Sequence, residues 1–338
     1  VPARDDRTGT DRTRATARRD PGRRPAPAVA PTGDRLIVGT VPPAVPVVGV
    51  LLVLAGLVGV AAAFPTYLVV DGEVLRQVHG PGSALLAVLV PAVQVAVGAT
   101  LVRRAVPKFG LAYASITGAL SVGELMIEVY RGSSSTSRPG VEVLAGERVL
   151  TSGIQVGAGW VLGVVALSLT VLAGAVALTA WGRTVMEDRG ALDRLRSVLA
   201  GSAVLLGVAA VLCLALPAAD VPAELRTDPA TGLQTVVTRE GSQALLERPG
   251  LALLGGLLLA GALLLCSVVA PSLRPRLAVV GGLLGITVTV LSAGLVGLRD
   301  AASSEELVWT VPGAGLVVVG MAFAALTVLA WRARRSAA

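Results

Sequence analysis

The sequence predicts an all-α integral membrane protein: a bundle of eight transmembrane helices with both termini on the cytoplasmic side. Three observations lead there. The 338-residue chain is 54% hydrophobic with a mean hydropathy of +0.75, whereas soluble domains hold about 45–50% apolar residues. Only 15% of residues are charged, and these cluster between long charge-free runs. The runs are continuous rather than alternating, which points away from a barrel. Backbone groups in hydrocarbon must be satisfied within their own segment, so each run is read as a helix.

Residues 1–40 are rich in Arg, Pro, Thr and Asp and nearly free of apolar side chains before Leu36. Such a segment has nothing to bury and is expected to be a disordered cytoplasmic tail. Its simplest role is to set topology; the functional reading is contact with anionic lipid headgroups. The small residues of "VAAAFP" resemble a signal-peptide cleavage site, but the preceding run is span-length, so an uncleaved anchor is expected. The spans fall near 43–64, 83–102, 110–130, 154–181, 198–219, 250–270, 277–298 and 313–331. Each approaches the ~20 residues that a helix needs to cross a roughly 30 Å hydrocarbon layer.

Orientation comes from the basic residues. Of 29 Lys and Arg, 21 lie in the N-terminal tail, "RRAVPKFG", "GRTVMEDRGALDRLRS", "SLRPR" and "WRARRSAA". These are alternate connections, and the positive-inside rule places them in the cytoplasm of a plasma-membrane protein. The same distribution explains the net charge of +7 as topology rather than nucleic-acid binding. The outer loops are then 65–82, 131–153, 220–249 and 299–312. "LQTVVTRE" in the third reads as a strand and "SQALLE" as a short surface helix, with a similar element at "GVEVLAGERVL" in the second, so each half would carry a small outer cap.

The second and sixth spans open alike, with "GPGSALLAVL" and "RPGLALLGGL". The fourth and eighth share "VGAGWVLGVVALSLTVLA" and "VPGAGLVVVGMAFAALTVLA". We read two tandem four-helix modules, 41–182 and 198–331, joined by a linker at 183–197 and followed by a basic tail at 332–338. Four spans per module make the repeats parallel, unlike the inverted repeats of many transporters. Gly159 with Gly163, and Gly281 with Gly285, are small-residue pairs expected at helix-packing seams.

The four-span pattern and "GAGWVLG" at 157–163, echoed by "GAGLVVVG" at 313–320, resemble small actinobacterial membrane proteins of the tryptophan-operon-associated kind, whose last span opens with a Gly-rich "GxGxW"-like turn. The chain departs from them in being doubled and poor in Trp. The family has no assigned activity, so the resemblance carries over no functional residue. The excess of Arg over Lys, 28 to 1, and the Ala, Val and Gly bias fit a high-GC cell envelope of that type.

The candidate site lies in the third span, in "SVGELMIEVYRG". Thr117, Ser121, Glu124, Glu128 and Arg131 follow steps of 4, 3, 4 and 3, which put them on one helical face. A carboxylate at membrane depth is costly, so Glu124 is expected to face the bundle as a proton or cation site or as a polar clasp between helices. Glu128 is placed to pair with Arg131, and Gln94 on the second span is a possible partner for the stripe. The seventh span has Thr287, Thr289 and Ser292 but no charge, so the module's architecture does not require the acids.

No catalytic or cofactor fingerprint is present in the sequence. Asp71, Glu73 and His79 share an outer loop and are read as a solvated turn. Cys213 and Cys266 lie at different depths and are read as unpaired, and no Cys/His spacing fits a metal site. The expected function is non-enzymatic: a structural, assembly or regulatory membrane protein of the envelope, with a membrane or envelope protein as possible partner. A proton- or cation-coupled transporter of small solutes is the alternative.

Overall fold

The computed structural model describes residues 37–70, 73–133, 142–144, 147–149, 154–187, 193–220, 224–227, 234–237, 250–303 and 308–333. Eight helices dominate it: α1 (Ala44–Ala62), α2 (Pro81–Val102), α3 (Pro107–Ser133), α4 (Ala158–Trp181), α5 (Asp193–Leu214), α6 (Leu251–Ser272), α7 (Arg276–Ser303) and α8 (Val311–Arg332). All eight are long and apolar enough to cross a membrane.

The ends follow from local chemistry. At the start of α2, Pro81 needs no N–H partner, and the Ser83 hydroxyl accepts from the backbone N–H groups of His79 and Gly80. Thr310 caps α8 by accepting from the Gly313 N–H at 3.3 Å. The fifth helix lies earlier than the apolar run suggested. It starts in the charged stretch at Asp193 and stops at Leu214, three residues before Pro217. The fourth starts later, because Ile154–Val156 forms a strand.

Short strands tie the loops together. They are β1 (Ile37–Val38), β2 (Thr66–Val70), β3 (Glu73–Arg76), β4 (Glu142–Leu144), β5 (Glu147–Val149), β6 (Ile154–Val156), β7 (Met186–Glu187), β8 (Ala219–Asp220), β9 (Glu224–Thr227), β10 (Gln234–Val237) and β11 (Val308–Trp309). All pairings are antiparallel. β2 lies between β3 and β6, β8 pairs with β11, and β1 pairs with β7. Two further hairpins, β4–β5 and β9–β10, have no third strand among the described residues. The strand expected in "LQTVVTRE" is thus β10. "SQALLE" and residues 1–36 lie outside the described residues.

The helices pack inside out relative to a soluble protein. Leu205 is 72% exposed, Leu85 71% and Leu265 66%, surfaces that suit hydrocarbon rather than water. The interior holds two cores. One joins α1, α2 and α4 through Val45, Leu52, Leu101 and Ala177, with Leu111 and Tyr113 of α3. The other gathers α5 to α8 through Leu199, Leu263, Leu283 and Phe323, with Ile116, Leu120 and Ile127 of α3. The third helix therefore serves both cores, and it packs on α4, α6 and α7. It is 67% buried over its membrane-length window and α7 61%, against 22–39% for the other six, so these two form the axis of the bundle.

Backbone approach on glycine fixes that axis. A Cβ on Gly118 would stand 2.7 Å from Gly174 Cα of α4, and one on Gly123 would stand 2.5 Å from the Gly255 carbonyl oxygen of α6. Packing rather than hydrophobicity drives association between helices in lipid, so such contacts lock α3 to α4 and to α6.

Candidate functional site

Thr117, Ser121, Glu124, Glu128 and Arg131 all lie on α3 and share a face, as their spacing requires. Thr117 and Ser121 are buried. The Thr117 hydroxyl donates back to the Tyr113 carbonyl at 2.9 Å, which satisfies it within its own helix.

The structure separates the two acids. Glu128 is held from three elements. The Tyr67 hydroxyl, carried by β2, donates to its Oε1 at 2.5 Å. The Arg131 guanidinium stands 3.5 Å from its Oε2 one turn away. The Trp160 indole N–H, on α4, donates to its backbone carbonyl at 2.8 Å. Arg131 is 49% exposed, so its ion pair is screened and contributes little; the Tyr67 bond, with Glu128 12% exposed, is the stronger one. Burial and the Glu128 carboxylate together push the Tyr67 phenol well above its ordinary range, which keeps it a donor.

Glu124 has no such clasp. It lies nine residues from the Ser133 end of α3, about 13 Å along the axis. Among the described residues, no hydrogen bond or ion pair reaches its carboxyl. The expected amide partner is engaged elsewhere: the Gln94 side-chain amide donates to the Thr170 hydroxyl of α4 at 3.2 Å. The reason is depth. Gln94 lies 13 residues into α2, about 20 Å from its Pro81 end, level with Thr170 rather than Glu124.

The small-residue pairs divide likewise. A Cβ on Gly159 would meet backbone oxygens of Ala62, Pro65 and Thr66 at 3.0–3.1 Å, so it is a close-packing position. Gly163 is not a close-packing position: a Cβ there would meet only Glu128 Oε1, at an ordinary contact distance of 3.9 Å. Gly281 lies against the Phe109 carbonyl oxygen, and Gly285 against Ile116 and Thr117, both at the α3–α7 seam.

Tyr67 was not among the candidate residues, and Trp160 stood in the "GAGWVLG" turn without being assigned to the site. In a chain with only 3% aromatic residues, their rarity was the available signal. No cluster of three or more His, Cys, Asp or Glu able to hold a metal ion occurs among the described residues. Cys213 and Cys266 are free, His79 is exposed, and Asp71 lies outside the described residues.

No protein-family model, curated protein or solved structure matches the chain.

Proposed function

We propose that this chain is a non-enzymatic plasma-membrane protein with cytoplasmic termini that serves a structural, assembly or regulatory role in the cell envelope. The observation that supports this reading is the pair of hairpins β4–β5 and β9–β10. Each is an isolated two-stranded unit among the described residues, with both outer edges free of a third strand. Two-stranded sheets are marginal alone, and open edges accept a strand from another chain. The site chemistry agrees, since Glu128 is occupied as a tie between β2, α3 and α4. The test is cross-linking in native membranes with residues 224–237 replaced by a flexible linker of equal length. Loss of the cross-linked species, with the bundle still folded, is expected; its persistence after removal of both hairpins sinks the assembly reading.

A second reading is favoured by Glu124, whose carboxyl is not consumed in packing. It is a proton- or cation-coupled transporter of small solutes. A transporter should lose uptake in proteoliposomes on Glu124→Gln while keeping its melting temperature.

A further inference from the structure

We propose that Glu124 is a protonation site inside the bundle, reached by water through a hollow beside α3 and shared with the buried phenol of Tyr113. The inference deepens the second reading above, on whose proton site it rests, and its readout is proton binding, which is scored separately from solute uptake.

Residues turn by about 100° each along a helix. Ala119 and Val129, five residues to either side of Glu124, therefore point about 140° away from it in opposite senses. Both are exposed, so the outer arc of α3 is centred diametrically opposite the acid. On the inner side, Gly123 meets α6 and Gly118 meets α4, so Glu124 projects between those two contacts. Yet Glu124 is only partly covered. Surface left uncovered on the inward side belongs to a hollow within the bundle, not to the hydrocarbon boundary.

A second observation points the same way. Tyr113 is fully buried, and among the described residues its hydroxyl has no hydrogen-bond partner. It lies three turns from Glu124 at nearly the same azimuth. Buried polar groups in native proteins are satisfied by protein or by water. Water in the hollow would satisfy the carboxyl, and the hydroxyls of Ser121 and Thr117 lie on the same face between it and the phenol.

The surroundings select a proton over a metal ion. A hard cation takes six or more oxygen ligands, with carboxylates prominent among them. Here one unclasped carboxylate stands with neutral hydroxyls. The charged or titratable groups near it are Glu128, Tyr113 and, beyond Glu128, Arg131 and Tyr67. Between their ends α1, α2 and α4 carry none, α6 contributes only the Cys266 thiol, and α7 has Arg276, Arg299 and Asp300 at its extremities.

The experiment is labelling of the full chain in native membranes with a hydrophobic carbodiimide, which reacts with protonated carboxyls, mapped by mass spectrometry as the buffer is taken from mildly acidic to mildly alkaline. Label on Glu124 is expected in acidic buffer, falling about tenfold per pH unit once past half-labelling. Tyr113→Phe, which preserves volume, should move that half-labelling point to higher pH by removing the hydroxyl dipole at the far end of the same polar face. Protection by sodium at constant pH would overturn the proton assignment in favour of a cation. Absence of label on Glu124 in every buffer, while a carboxyl in an exposed loop is labelled, would overturn the site itself. A half-labelling point unmoved by Tyr113→Phe would remove Tyr113 from it.

Discussion

The helices α3 and α7 both run through the middle of the bundle and are built differently. Both are the most enclosed helices of the bundle. The seventh satisfies its interior with neutral groups: the Thr287 hydroxyl lies 3.1 Å from that of Thr327 on α8 and donates to the Leu283 carbonyl at 2.7 Å. The third carries two carboxylates in the same kind of environment, one tied and one not. A central helix of this fold therefore does not need an acid to pack, and an untied acid must be explained by something other than packing.

Four substitutions sharpen that contrast, and the first should have the largest effect. Gly123→Leu drives a side chain against the backbone of α6, which has no rotamer to yield. A loss of about 3 kcal/mol or more is expected, read as a lower melting temperature in detergent. An unchanged melting temperature would mean that the α3–α6 seam is not a locking contact. Next is Tyr67→Phe, which leaves Glu128 without its shortest partner at a cost of about 1.5–3 kcal/mol. The pH dependence has a defined sign. The phenol is raised in the folded state, so the unfolded chain ionises first. The Tyr67 contribution is complete below about pH 10, the ordinary tyrosine value, and is lost as pH climbs towards the folded value. Alkaline melting curves of the wild type and Tyr67→Phe should converge.

Thr287→Val probes the neutral counterpart on α7. Hydrogen bonds between membrane helices average about 0.6 kcal/mol, and a loss of that order is expected in equilibrium unfolding. Smallest is Glu124→Gln, which breaks no bond found among the described residues. A change of about 0.5 kcal/mol or less is expected. A larger loss would show that Glu124 is a clasp after all and bring α3 closer to α7 in kind.

Span number and the shared face of the α3 stripe were legible in the sequence because both depend on local periodicity. Helix ends were less so. The α5 register moved because a helix continues into charged residues where water can solvate them, and hydropathy alone does not mark that point. The Glu128–Arg131 pair was legible from its spacing, but the shorter tie to Glu128 was not. That depends on β2 pairing with β6, which brings Tyr67 over the end of α3 from 61 residues away. Gln94 misled for the same reason: its partner was chosen by depth between α2 and α4, a relation between elements that neither segment carries alone. Tyr113 shows the limit from the other side, since an apolar stretch gives no sign of which phenol will lack a donor or acceptor.

The glycine contact between α3 and α6 also has a consequence during synthesis. Gly123 and Gly255 are 132 residues apart in the chain. At translation speeds of about 5–20 residues per second, α3 must wait on the order of ten seconds for the helix that covers its Gly123 side. Until then it has only α1, α2 and, once made, α4 to pack on, and two carboxylates to hide. The nascent chain is therefore most exposed to misassembly between the emergence of its third and sixth helices, and an insertion chaperone would have most to offer in that window.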